Sequence, residues 1–194
     1  MDTSPSNQGF SLIELLISIT LTLIVFGGVT GFIITINKVF LTQRDRVVAV
    51  NSGEAAADTV DRLIRLSGSR PSTCSASFTV PDMVPSNAIV GSDTWYASLR
   101  IRSDWYPADC SLNGDEEDVT LSASDGYLCL DPDHLQAIVS NINDLRFQFL
   151  DKNGVVMTRP DLHTSDIASV KVQITTHASD GTNSTLTNVV AIRK

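Results

Sequence analysis

The clearest chemical consequence in this chain belongs to one carboxylate. Glu14 stands at the head of a run, Leu15 to Asn37, in which no side chain is charged. About 22 such residues are enough for a helix to cross the hydrocarbon core of a bilayer. A lone acid in that setting is expensive to desolvate and marks a functional site by default. Just ahead of it lie Gly9 and Phe10, closing a polar leader, Met1 to Gln8, that holds no Lys or Arg. An ordinary secretory signal would carry a charged first region and a shorter apolar core. A plain membrane anchor has no need of Glu14.

A second cluster could bind a cation. In Asp109-Cys110-Ser111-Leu112-Asn113-Gly114-Asp115-Glu116-Glu117-Asp118, oxygen side chains recur at Asp109, Ser111, Asn113, Asp115 and Glu117, and Gly114 suits a sharp turn. That spacing resembles a Ca²⁺ loop, although the final position, where a bidentate Glu belongs, is Thr120. The plainer reading is a solvated acidic turn. Three cysteines, Cys74, Cys110 and Cys129, all follow the apolar run. In an exported domain two of them are expected to pair, leaving one over. Cys110 with Cys129 would close a loop of about 20 residues, worth about 3 kcal/mol. Cys74 with Cys110 is the alternative. His134, His163 and His177 are scattered, with no nucleophile or phosphate-loop motif beside them, so no catalytic site and no enzyme is expected.

Gly9, Phe10, Glu14 and the apolar run behind them resemble the prepilin signal of type IV pilins and type II secretion pseudopilins. The resemblance implies cleavage by a prepilin peptidase after Gly9, methylation of the new N-terminal Phe10, and a role for Glu14 in subunit assembly. It further implies a single-pass protein of the bacterial inner membrane, with its C-terminal domain in the periplasm, that later enters a pilus or pseudopilus. Charge alone would orient it otherwise, because Lys38, Arg44 and Arg46 follow the run rather than precede it. Partners implied are the major pilin and other minor pilins, the processing peptidase, the inner-membrane assembly platform, and membrane lipid along the helix. Calcium loops also occur among these families.

These residues need a scaffold. Beyond Thr42 the pattern stays helical, with Val47, Val50, Ala57, Val60 and Ile64 on one stripe. Asp61 and Arg65 form an i, i+4 pair in the favoured direction, and Gly68 with Pro71 is a stop signal. One helix is therefore expected from Phe10 to Ser67, apolar all round at first and amphipathic later. Ser67 to Asn87 reads as loop. Strands follow: Trp95, Ala97, Leu99 and Ile101 alternate with Tyr96, Ser98, Arg100 and Arg102. A hairpin from Thr120 to Leu130 turns at Asp125-Gly126. Leu145, Phe147 and Phe149 lead to Asn153-Gly154, a strong hairpin signal, and then Val155 to Met157. Val170, Val172 and Ile174 lead through Asp180-Gly181 to a last strand, Thr185 to Arg193. Strands joined by tight turns after a single helix make an α+β class with an antiparallel sheet.

Three segments result: a leader, residues 1–9; a membrane and assembly half-helix, 10–41; and a globular domain, 42–194. The net charge of −8 argues against a general nucleic-acid binder. Arg100 and Arg102 could still form a local basic patch, as a tip adhesin or DNA-uptake module would need. The Asn113-Gly114-Asp115-Glu116 loop, the Leu145 to Phe149 strand before Asp151-Lys152-Asn153-Gly154, and Val189 to Arg193 resemble the W-type minor pilins and, more distantly, J-type minor pseudopilins. The function implied is a minor pilin-like structural subunit of a type IV pilus, in a priming or tip complex, with a type II secretion pseudopilin as the alternative.

Overall fold

The computed structural model describes residues 11–68, 74, 83–88, 94–104, 110, 118–131, 136–158 and 166–192. Among these lie one helix, α1 (Leu12–Leu66), and eight strands: β1 (Met83–Ala88), β2 (Tyr96–Arg102), β3 (Asp118–Ser124), β4 (Tyr127–Asp131), β5 (Gln136–Ser140), β6 (Ile142–Leu150), β7 (Ser169–His177) and β8 (Asn183–Ala191). The strands form one sheet in the order β5-β4-β3-β2-β6-β7-β8, with β1 paired to β2, and every pairing is antiparallel. This is the pilin-like α+β architecture, a long N-terminal helix packed on a C-terminal antiparallel sheet. The chain divides into two compact units, Met1–Arg44 and Asp45–Lys194.

The turns form where local chemistry favours them. Asp125 (φ 51°) and Gly126 (φ 82°) join β3 to β4 in a two-residue turn with both central residues left-handed, the geometry that matches strand twist. Between β7 and β8, Gly181 takes φ 84°, and the Ala178 N–H donates to the Thr182 carbonyl at 2.9 Å. At Asp151-Gly154 the turn also forms, with the Asp151 carboxylate accepting from the Asn153 and Val155 N–H groups at 2.8 Å each. Its return arm is shorter than expected. Val155 and Val156 are exposed, and a single bridge, Leu150 to Val156, replaces a strand.

The core lies between the later part of α1 and one face of the sheet. Val60 and Ile64 pack there with Leu99, Leu121, Leu145, Phe147, Val172 and Ile174, all nearly inaccessible to solvent. The helix face is not the stripe read from the large apolar residues. Val47 and Val50 are exposed, Ala57 is half-buried, and Ala49, Gly53 and Ala56 complete the buried face. Small residues sit there because the helix comes close to β7. A Cβ on Gly53 would lie 3.1 Å from Thr176 Cγ2, and nothing as wide as Val fits at that separation. In β2, Leu99 and Ile101 are buried as the alternation predicts. Tyr96 departs from it, lying 5% exposed opposite Phe147 and edge-on to Phe149 at 5.4 Å.

Two strands occupy sequence that offers little strand signal. β1 falls at the end of the stretch expected to be loop, and Pro85 within it is opposite Leu99. Proline is tolerated on an edge strand because one side of its backbone needs no donor. β5 pairs β4 with a register shift at Leu128/Cys129.

The expected Cys110–Cys129 pairing is overturned. The disulfide joins Cys74 to Cys110, with Cα atoms 5.5 Å apart, and Cys129 is free and buried. Loop closure separates the two pairings by only about 0.5 kcal/mol, so tertiary placement decides. Cys129 is fixed within β4, opposite Ser122 and Ala137, and its Sγ lies 3.7 Å from the Tyr127 carbonyl oxygen.

Candidate functional site

The assembly segment begins where α1 begins. Ser11 stands at the N-cap, its carbonyl accepting from the N–H groups of Glu14 (3.0 Å) and Leu15 (3.2 Å). Ser11-Leu12-Ile13-Glu14 has the spacing of a capping box, a signal in the sequence that the apolar run overshadows. It puts Glu14 in the first turn of α1, where the helix dipole favours an anion. Gly9 and Phe10 lie outside the described residues, as do Asp109, Ser111, Asn113, Asp115 and Glu117 of the expected calcium loop.

Behind Glu14 the helix is dressed for an apolar medium. Leu12, Ile13, Leu16, Ile24, Phe26, Phe32 and Phe40 are all more than half exposed, and the helix is long and apolar enough to cross a membrane. Its hydroxyls are satisfied internally. Ser18, Thr22, Thr30 and Thr35 each donate to the carbonyl four residues back at 2.7 to 2.9 Å, and Thr20 donates to those of Leu16 and Ile17. A helix so arranged presents no hydroxyl donor in need of water. Glu14 is the one charged side chain among the described residues from Ser11 to Asn37. Gly27, Gly28 and Gly31 have open space where a Cβ would be.

The N-terminal residues, 4–30, match the prokaryotic N-terminal methylation motif. This chain carries the prepilin signal of type IV pilins and pseudopilins. The match takes in the leader from Ser4 onward, with Gly9, then Phe10, Glu14 and the apolar run as far as Thr30. No curated protein matches the chain. The signal supports a type IV pilin or pseudopilin, points to a structural subunit rather than an enzyme, and implies processing by a prepilin peptidase and assembly with other pilins. Together with the apolar helix it fits anchoring in the inner membrane and then entry into a pilus.

On the pilin-like domain, the cationic patch expected of Arg100 and Arg102 does not stand free. Arg100 Nε donates to Asp118 Oδ1 at 2.5 Å and its Nη2 to Oδ2, while Arg102 Nε donates to Oδ2 at 3.1 Å. The β2–β3 register, which puts Arg102 opposite Asp118, brings them together. Burial works to raise the Asp118 pKa, but its two arginine partners outweigh it and hold the carboxyl below its usual range. Where α1 enters the globular unit, the β7–β8 turn clasps it: Arg46 Nε donates to Asp180 Oδ2 at 2.9 Å, and Ser179 Oγ donates to Asp45. Asp180 is held down to about pKa 2, chiefly by the hydroxyl and N–H of Thr182, with Arg46 adding to them.

One further group escapes any motif. Asp104, just past β2, is 1% exposed, and its Oδ1 has no hydrogen-bond partner. It lies against the Cys74–Cys110 disulfide, with Oδ2 3.5 Å from Cys74 Sγ. Both sulfurs are bonded to one another, so this cluster is not a thiolate metal site.

Proposed function

We propose that the chain is a minor pilin-like structural subunit. In this reading it is cut after Gly9, methylated at Phe10, held in the inner membrane with its globular domain in the periplasm, and drawn into a type IV pilus at the priming or tip complex. The observation that carries the reading is Glu14, a lone carboxylate in the first turn of an apolar helix within the matched signal.

The mechanism follows from its charge. A carboxylate facing lipid is unfavourable, and so is the ammonium that cleavage creates at Phe10. Docking Glu14 of one subunit against the terminal amine of its neighbour pairs the two in a low-dielectric setting, where attraction is strongest and an unpaired charge most costly. The pairing sets subunit register. Leu12, Ile13, Leu15, Leu16 and Ile17 supply the packing area around it. Partners are the major pilin, other minor pilins, the peptidase and the assembly platform.

The test compares purified pili from cells expressing the wild-type chain and Glu14→Val. Membrane insertion should be unchanged or improved, because the only acid in the run is gone. Recovery of the variant in sheared pili, measured by mass spectrometry, should fall at least tenfold. Incorporation at the wild-type level sinks the pairing mechanism. A wild-type chain absent from pili but required for protein secretion moves the subunit to a type II pseudopilus.

A further inference from the structure

A buried carboxylate with no donor needs an explanation. Asp104 is buried, and its Oδ1 accepts from no donor. Arg102, two residues earlier in the chain, has its guanidinium engaged by Asp118. Among the described residues, the contact of Asp104 is that of its Oδ2 with Cys74 Sγ, and a disulfide sulfur carries no hydrogen to donate. The picture changes once the bond is opened. A Cys74 thiol in the same place has an S–H, and 3.5 Å is within reach of a hydrogen bond to a carboxylate. The dithiol state thus gives Asp104 Oδ2 a donor that the disulfide state withholds from it. Cys74 and Cys110 are both only half-buried, which leaves the pair open to small thiols.

We propose that Asp104 is a built-in proton acceptor for Cys74 that promotes closure of the Cys74–Cys110 bond. A disulfide oxidant such as glutathione disulfide first reacts with the Cys110 thiolate. This forms a mixed disulfide and releases one glutathione thiolate. Asp104 then takes the proton from the Cys74 thiol as its sulfur attacks Cys110 Sγ. The Cys74–Cys110 bond forms, the mixed bond breaks, and the second glutathione thiolate departs and is protonated. The two cysteines lose two electrons and the glutathione disulfide gains them. Asp104 returns its proton to solvent. The base lies within hydrogen-bond reach of the atom it deprotonates, the first requirement of general base catalysis. It also assigns direction, since the carboxylate lies against Cys74 and makes that sulfur the closing nucleophile. The free third thiol, Cys129, is held apart in β4.

The experiment uses the full chain in detergent, reduced, freed of reductant and oxidised with glutathione disulfide. Acid-quenched samples are alkylated and mapped by mass spectrometry. In the wild type the mixed disulfide on Cys110 should be short-lived. In Asp104→Asn it should accumulate, with closure on the order of 10²-fold slower at pH 7. The two proteins should converge near pH ~9.5, where a thiol ionises unaided. A purely structural role would not produce that convergence. Equal closure rates at pH 7, or a gap that persists at high pH, overturn the proposal. The wild-type profile alone gives a second measurement should Asp104→Asn fail to fold. Below pH 8 closure should slow by clearly less than tenfold per pH unit, and a full tenfold slope means that no internal base is at work.

Discussion

Gly53 is the tightest point between helix and sheet, and its replacement has a calculable outcome. In a helix interior, Gly→Ala is worth about 1 kcal/mol of stabilisation from backbone propensity. Against this stands the new Cβ, 3.1 Å from Thr176 Cγ2 and 4.0 Å from its Oγ1, where ordinary carbon contacts begin near ~3.5 Å. Thr176 has little room to yield. It is 2% exposed, β-branched and so stiff at χ1, and its hydroxyl donates to the Ser184 carbonyl at 3.3 Å. Overpacking of this kind costs roughly 1–3 kcal/mol. Gly53→Ala should therefore be destabilising by about 1 kcal/mol, lowering Tm by about 2–4 °C for a chain of this size. Thr176→Ser removes the offending methyl and keeps the hydroxyl. In that background the same Gly53→Ala should be stabilising by about 1 kcal/mol. The coupling in this double-mutant cycle is then about 2 kcal/mol. Urea unfolding of the four proteins, followed by near-UV circular dichroism, measures it. A coupling within about 0.5 kcal/mol of zero, the level at which independent sites add, would refute the close approach of α1 to β7.

Two other expectations can be checked directly. Intact mass of the membrane-extracted chain should show loss of residues 1–9 and gain of one methyl group, and Gly9→Val should leave the precursor uncut; a mature chain starting elsewhere removes the basis of the assignment. Asp180 is depressed in the folded state to about 2, so the stability it contributes is complete above its unfolded value near ~3.9 and is lost as pH falls towards 2. The urea midpoint of Asp180→Asn should thus be lower than wild type at pH 6 and should converge with it by about pH 2; parallel pH curves would show that the Asp180 carboxylate contributes no pH-dependent stability.

Much of the chain was legible from residue order because the deciding physics is local. Glu14 in an uncharged run, the long helix and its Gly68 stop, and the turns at Asp125-Gly126 and Asp180-Gly181 depend on charge, periodicity and backbone freedom within a few residues. The alternation of Phe147 with Phe149, and of Val170, Val172 and Ile174, told which sheet face is buried because strand side chains alternate regardless of partner. The remainder depended on groups far apart in sequence. Val47 and Val50 look like the helix's buried stripe until β7 comes so close that only Ala49, Gly53 and Ala56 can face it. Arg100 and Arg102 look like a basic patch until the β2–β3 register sets Asp118 beside them. Cys110 had two partners of nearly equal loop entropy, and the sheet removed one of them by fixing Cys129 in β4. Asp104 carries no motif at all. Its isolation, and the sulfur it faces, exist only because folding excludes water from one carboxylate and brings a cysteine thirty residues earlier into contact with it.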